Sequence, residues 1–108
     1  MKQKTGATKH ESDFQEDVLK YLKTRGGYWT KVHVSAYQSQ GEPDIVGCYM
    51  GAYVAFELKV DKNDTSVLQD YKLSEITSNG GYACAPRTLQ EVKEVLDDIY
   101  RVQSNRKP

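Results

Sequence analysis

The stretch Gly41-Glu42-Pro43-Asp44-Ile45-Val46, followed thirteen residues after Asp44 by Glu57-Leu58-Lys59, organises the reading of this chain. An acid follows a proline at the start of one apolar run. A second acid lies near the end of the next run, with a lysine two residues beyond it. Residues 44–50 and 52–60 read as two strands joined at Met50-Gly51. Folding them as a hairpin sets Asp44 opposite residue 57 or 58. Strand residues two apart share a face, so Glu57 and Lys59 point the same way as Tyr53 and Ala55. Val54, Phe56, Leu58 and Val60 point the other way and are all apolar. A surface strand explains that alternation alone. The hairpin adds a second carboxylate beside the first, and two neighbouring carboxylates repel unless a cation or proton intervenes. An oxygen-only donor set suits Mg²⁺ or Mn²⁺.

On either side of this pair the chain alternates helices and strands. From Thr8 to Arg25 the apolar residues Phe14, Val18, Tyr21 and Leu22 recur at helical spacing, and Gly26-Gly27 ends the helix. Tyr28 to Val34 reads as a strand and Ser35 to Gly41 as a polar loop. After the hairpin, residues 61–64 form a turn. Asp64, Thr65 or Ser66 caps a helix that runs to about Ser78 and ends at Asn79-Gly80-Gly81. Tyr82 to Ala85 is a short strand. Thr88-Leu89-Gln90-Glu91 is a capping box opening a last helix with the stripe Leu89, Val92, Leu96 and Ile99. The expected fold is α/β, in the order α-β-β-β-α-β-α, a mixed β-sheet flanked by helices.

With 108 residues this is one domain, expected over residues 8–100, with flexible basic tails at 1–7 and 101–108. The formal net charge is zero, but it is unevenly spread. Lys2, Lys4 and Lys9 at one end and Arg101, Arg106 and Lys107 at the other have no acid among them, which leaves the middle with a net charge of −6. An acidic body with basic ends suits cations within and phosphates outside, although solvated tails account for the same distribution. No apolar run is long enough to span a bilayer and no apolar signal region follows the basic N-terminus, so no membrane partner and an intracellular location are expected. Cys48 and Cys84 form no CxxC pair and read as small buried core residues.

Three further positions bear on the carboxylate pair. At about 100° per residue, Glu11 lies within roughly 20° of both Val18 and Leu22, whereas Glu16 lies about 140° from Glu11 and faces solvent. A carboxylate on a buried helical face is costly unless it is paired or metal-bound. Thr8-Lys9-His10-Glu11 also reads as a capping box, and if Ser12 caps the helix with Gln15, Glu11 falls just outside it. On the second long helix Gln69 and Lys72 share a face, either as an exposed polar surface or as one wall of a phosphate-binding cleft. His33 and Ser35 lie on one side of the first strand and read as ordinary polar positions. Trp29 and the tyrosines can stack bases, with core and sheet packing the default for most of them.

Gly-x-Pro-Asp, then Glu-x-Lys on the next strand, then a helix bearing Gln, resembles the PD-(D/E)xK nuclease superfamily and its restriction-endonuclease-like core. More narrowly the chain resembles the VRR-NUC family, and in particular its compact stand-alone, phage-type members. The segments carrying the likeness are Glu11-Ser12-Asp13-Phe14-Gln15, Gly41-Glu42-Pro43-Asp44-Ile45, Val54-Ala55-Phe56-Glu57-Leu58-Lys59, Leu68-Gln69-Asp70-Tyr71-Lys72 and Gly80-Gly81-Tyr82-Ala83. The ordered set is far more specific than a lone Pro-Asp or Glu-x-Lys. The resemblance implies that Asp44, Glu57 and the backbone carbonyl of Leu58 bind the metal. It further implies that Glu11 holds the metal or its waters, that Lys59 orients or activates the attacking water, and that Gln69 supports the site. It also implies Mg²⁺, with Mn²⁺ able to substitute, and a homodimer acting on Holliday-junction or other branched DNA in the cytoplasm of a bacterial or phage-infected cell.

An ordinary lysine, with a pKa of about 10.4, is cationic at pH 7, which favours charge stabilisation by Lys59 over free-base catalysis. With the substrate preference implied by the resemblance, the expected function is metal-dependent, structure-selective DNA endonuclease activity. The alternatives are a general or restriction-like nuclease without branch preference, a non-catalytic DNA-binding module on the same fold, and a small structural protein with solvated charges. The clustered carboxylates weigh against a binding module, because carboxylates near phosphate weaken binding.

Overall fold

The computed structural model describes residues 6–33, 41–60 and 64–106. Its elements are α1 (Gly6–Arg25), β1 (Tyr28–Lys31), β2 (Ile45–Tyr49), β3 (Ala52–Phe56), α2 (Val67–Ser78), β4 (Tyr82–Cys84) and α3 (Leu89–Ser104). This is the expected order. The strands form one mixed sheet, β1-β2-β3-β4. β1, β2 and β3 make an antiparallel meander. β4 returns parallel to β3, as Val54, Ala55 and Phe56 face Tyr82, Ala83 and Cys84. A parallel return needs a crossover, and α2 supplies it.

The β2–β3 hairpin closes where the sequence places its turn. Tyr49 faces Ala52, leaving a two-residue loop. Met50 has φ 54° and Gly51 φ 84°. Left-handed backbone at both loop residues matches the right-handed twist of the flanking strands. Glycine adopts it freely, whereas methionine does so at a steric cost.

One face of the sheet carries the core. Trp29, Ile45, Tyr49, Val54, Phe56 and Leu58 pack there with Val18 and Leu22 of α1 and Val92, Leu96 and Ile99 of α3. Each fully buried aliphatic or aromatic side chain contributes about 1.5–3 kcal/mol. Trp29 stacks on Phe56 with ring centroids 6.1 Å apart and donates its indole N–H to the Gly26 carbonyl at 2.8 Å. Its ring lies over Gly47, where a Cβ would come within 2.4 Å of the indole and 2.2 Å of the Tyr28 carbonyl oxygen. At the end of α1, the Arg25 guanidinium donates to the hydroxyls of Tyr21 and Tyr49. It also pairs with Asp97 of α3 at 2.8 Å, fixing α1 to both the sheet and α3.

Several boundaries and burial states differ from the sequence reading. α1 begins at Gly6 and runs unbroken past Ser12, so neither Thr8 nor Ser12 caps it. α3 continues to Ser104 and so takes in residues 101–104 of the expected tail. β1 stops at Lys31, although the Val32 amide still donates to the Asp44 carbonyl at 2.8 Å. Val34, Ser35 and the rest of the expected loop to Gln40, the turn residues 61–63, and Lys2, Lys4 and Lys107 of the ends lie outside the described residues. Thr88 caps α3 as expected, but Glu91 reaches the amide of Arg87 in place of that of Thr88. Cys48 is exposed and Cys84 half-buried, against the expectation of two core residues. Cys48 faces away from the core, on the same side as the exposed Tyr28 and Tyr53. Among the described tyrosines, Tyr49 is in the core and Tyr21 and Tyr82 pack against it, as expected, whereas Tyr28, Tyr53, Tyr71 and Tyr100 are exposed. Among the described residues no helix is long and apolar enough to cross a membrane.

Met50→Asn relieves the steric cost at the turn while keeping the carbonyl that accepts from Gln103. It is expected to raise stability by about 0.5–1 kcal/mol, a gain of several degrees in melting temperature. An unchanged or lower melting temperature in a thermal scan contradicts this account of the turn.

Candidate metal-binding site

The hairpin register, Ile45 opposite Phe56, puts Asp44 opposite Glu57 one residue further along. Asp44 is fixed on three sides. Its amide donates to the Phe56 carbonyl at 2.9 Å and its carbonyl accepts from Val32 at 2.8 Å. Its Oδ2 accepts from the Leu58 amide at 2.8 Å. Pro43, buried beside it, is the last residue of the approach and restricts the backbone of Glu42 as well as its own.

Glu57 and Lys59 lie just beyond β3, where pairing with the end of β4 and the residues after it continues. The Glu57 amide donates to the Cys84 carbonyl at 2.9 Å and the Lys59 amide to the Pro86 carbonyl at 3.1 Å. Strand parity therefore persists, and both side chains point to the face opposite Phe56 and Leu58. On that face Gln69 of α2 joins them. Its Nε2 donates to Glu57 Oε2 at 2.8 Å and its Oε1 accepts from Lys59 Nζ at 3.0 Å. Lys59 Nζ stands 3.5 Å from Glu57 Oε2. Gln69 is also the N3 residue of a capping box with Ser66: its amide donates to Ser66 Oγ and its Oε1 accepts from the Ser66 amide. The start of α2 and the Glu57–Lys59 pair thus share one side chain.

Glu57 is only 4% exposed, and its Oε1 is buried with no hydrogen-bond partner. Desolvation, reinforced by the charge of Asp44 and opposed by Lys59, pushes its carboxyl up to about 7. Asp44 is raised as well, first by desolvation, against the bond from the Leu58 amide and with a further upward push from Glu11. Glu11 acts on both carboxylates. It is half-buried, and Glu16 is exposed, as helical phase predicts. An unpartnered buried carboxylate oxygen beside a second desolvated carboxylate fits a divalent cation, whose charge would offset both costs. Among the described residues no three His, Cys, Asp or Glu side chains form a metal-holding group. The donors brought together are two carboxylates, with a backbone carbonyl and water left to complete a Mg²⁺ shell.

Of the other candidates, His33 is exposed just past β1. Lys72 does not face open solvent alone but binds Glu42 Oε2 at 2.7 Å. Glu42 belongs to the opening motif, yet nothing in the sequence ties it to a helix thirty residues away.

No family model matches the chain, and no curated protein sequence matches it. Among solved structures it is similar to a chain described as "VRR_NUC domain protein", with a TM-score of 0.67, 19% sequence identity, and 91% of this chain and 89% of that chain covered. The fold is VRR-NUC-like.

Because the Glu57 carboxyl is raised from 4.5 to about 7 in the fold, the native state holds its proton more tightly than the unfolded chain between those values. Stability of the metal-free protein is therefore expected to fall as pH rises through that window, by on the order of 1–3 kcal/mol, and to level off above it. Glu57→Gln should remove most of this slope. A metal-free wild type whose urea-unfolding stability is flat from pH 5 to pH 8 contradicts the burial argument.

Proposed function

We propose that this chain, which folds like a VRR-NUC domain, is a metal-dependent, structure-selective DNA endonuclease that hydrolyses phosphodiester bonds of Holliday-junction or other branched DNA. The observation that carries the reading is the buried, unpartnered Oε1 of Glu57 opposite Asp44, with Lys59 alongside. A structural or purely DNA-binding protein has no use for two desolvated carboxylates kept next to each other.

Asp44, Glu57 and the Leu58 carbonyl would hold the ion, and Glu11 would hold its waters. Bound Mg²⁺ supplies Lewis-acid polarisation of the scissile phosphate and a water of lowered pKa. Lys59, oriented by Gln69, places its ammonium where negative charge develops on the phosphate or the attacking water. Gln69 also holds Glu57 Oε2, leaving Oε1 free for the ion. The products are a 5′-phosphate and a 3′-hydroxyl. Symmetric cleavage of two strands needs two sites, and one domain of this size offers one, so the active species is a C₂ homodimer.

Cleavage assays on a Holliday junction, a flap and a linear duplex test this reading. Cutting is expected with Mg²⁺ or Mn²⁺ and not with chelator, and preferentially on branched DNA. Asp44→Ala and Glu57→Ala should each lower the rate at least about 10²–10³-fold, and Lys59→Met about as much. Activity that survives both carboxylate changes removes the site assignment. Equal cutting of linear duplex leaves a general nuclease.

A further inference from the structure

No side chain of α2 is fully buried; Leu73 and Ile76 are half-buried, with Ile76 against Gly81, and polar ties supplement this limited apolar contact. One of its ties is Gln69 with Glu57 and Lys59, described above. A second lies one turn further along, where Lys72 Nζ pairs with Glu42 Oε2 at 2.7 Å. Both side chains are partly shielded, Lys72 at 23% and Glu42 at 38% exposure. The segment bearing Glu42 is pressed against α2 at the same place. Gly41 has φ 84°, and a Cβ there would come within 2.7 Å of Leu68 Cγ. Glu42 also faces Tyr53, whose phenol is raised by desolvation and then by the charge of Glu42.

Glu42 is two residues from Asp44, and Pro43 stands between them. Proline fixes its own φ and confines the residue before it, so the link is stiff and a displacement of Glu42 is passed on to Asp44. From this geometry we infer that Lys72 and Glu42 are a positioning pair: α2 holds the Gly41–Asp44 segment through this ion pair, and thereby keeps the Asp44 carboxylate on the Leu58 amide and opposite Glu57. The consequence for metal affinity rests on the function proposed above; the positioning itself does not. Through Gln69 and Lys72 one helix then sets both carboxylates.

The test compares wild type with Lys72→Met, Glu42→Gln and the charge-exchanged double variant Glu42→Lys/Lys72→Glu. Two readouts are taken: hydrogen exchange of the Leu58 amide in metal-free protein, and Mn²⁺ affinity by calorimetry. Amides of the β2–β3 ladder, such as that of Val54, report whether a variant is folded. Each single change is expected to speed Leu58 exchange about 3–5-fold and to weaken Mn²⁺ binding by a similar factor, and the exchanged pair is expected to recover most of both. Unchanged Leu58 exchange in both single variants overturns the inference, as does an exchanged pair no better than the singles. Weaker DNA binding by Lys72→Met, with Leu58 exchange and Mn²⁺ affinity unaltered, also overturns it and makes Lys72 a phosphate contact. If wild type binds no Mn²⁺, the metal-dependent function falls, and Leu58 exchange alone decides the positioning.

Discussion

The register of the β2–β3 hairpin sets two carboxylates opposite each other at the end of the sheet, and the surroundings then take water away from them. Glu57 keeps one oxygen on Gln69 and has none for the other. Asp44 is bonded to the Leu58 amide and still raised by burial. Buried polar groups without partners are rare, because each costs about 1–3 kcal/mol or more when charged. The core has already secured the hairpin through Ile45, Val54, Phe56 and Leu58 on its other face. That face meets the cost of a site which, without a cation, works against stability.

α2 shows how closely this site and the architecture are joined. A crossover helix usually buries an apolar stripe, whereas this one buries no side chain fully, half-buries Leu73 and Ile76, and leaves Val67 and Tyr71 exposed. Its ties are Gln69, which serves at once as capping residue, partner of Glu57 and acceptor for Lys59, and Lys72, which grips Glu42. At its far end Gly81 admits Ile76 closely enough that a Cβ would stand 2.8 Å from its Cγ2.

Much of this was legible in the sequence, because it rests on short-range rules. Alternation and the Met50-Gly51 turn gave the hairpin and the opposition of Asp44 and Glu57. Helical phase separated Glu11 from Glu16, and the stripe Val92, Leu96, Ile99 is buried as read. What was not legible depends on which elements cover which face. Alternation alone leaves Glu57 on the face away from the core, and its contact with Gln69 of α2, far from it in sequence, is what no strand pattern registers. The Glu42–Lys72 pair spans a crossover that no local pattern registers. Cys48 read as a core residue, yet it lies on the face away from the core beside the exposed Tyr28 and Tyr53, with α2 packed toward β4. That α1 runs through both Thr8 and Ser12 was not legible because each of them reads locally as a cap.

The central proposal is that a divalent cation binds between Asp44 and Glu57, where burial pushes the Glu57 carboxyl up to about 7. It is tested most directly by counting protons released when Mg²⁺ is titrated calorimetrically into metal-free protein in buffers of different ionisation enthalpy. With the Glu57 carboxyl at about 7, close to one proton should leave per ion at about pH 6, and almost none at about pH 8.5. Absence of saturable Mg²⁺ binding, or the same proton count at both pH values, would contradict the account.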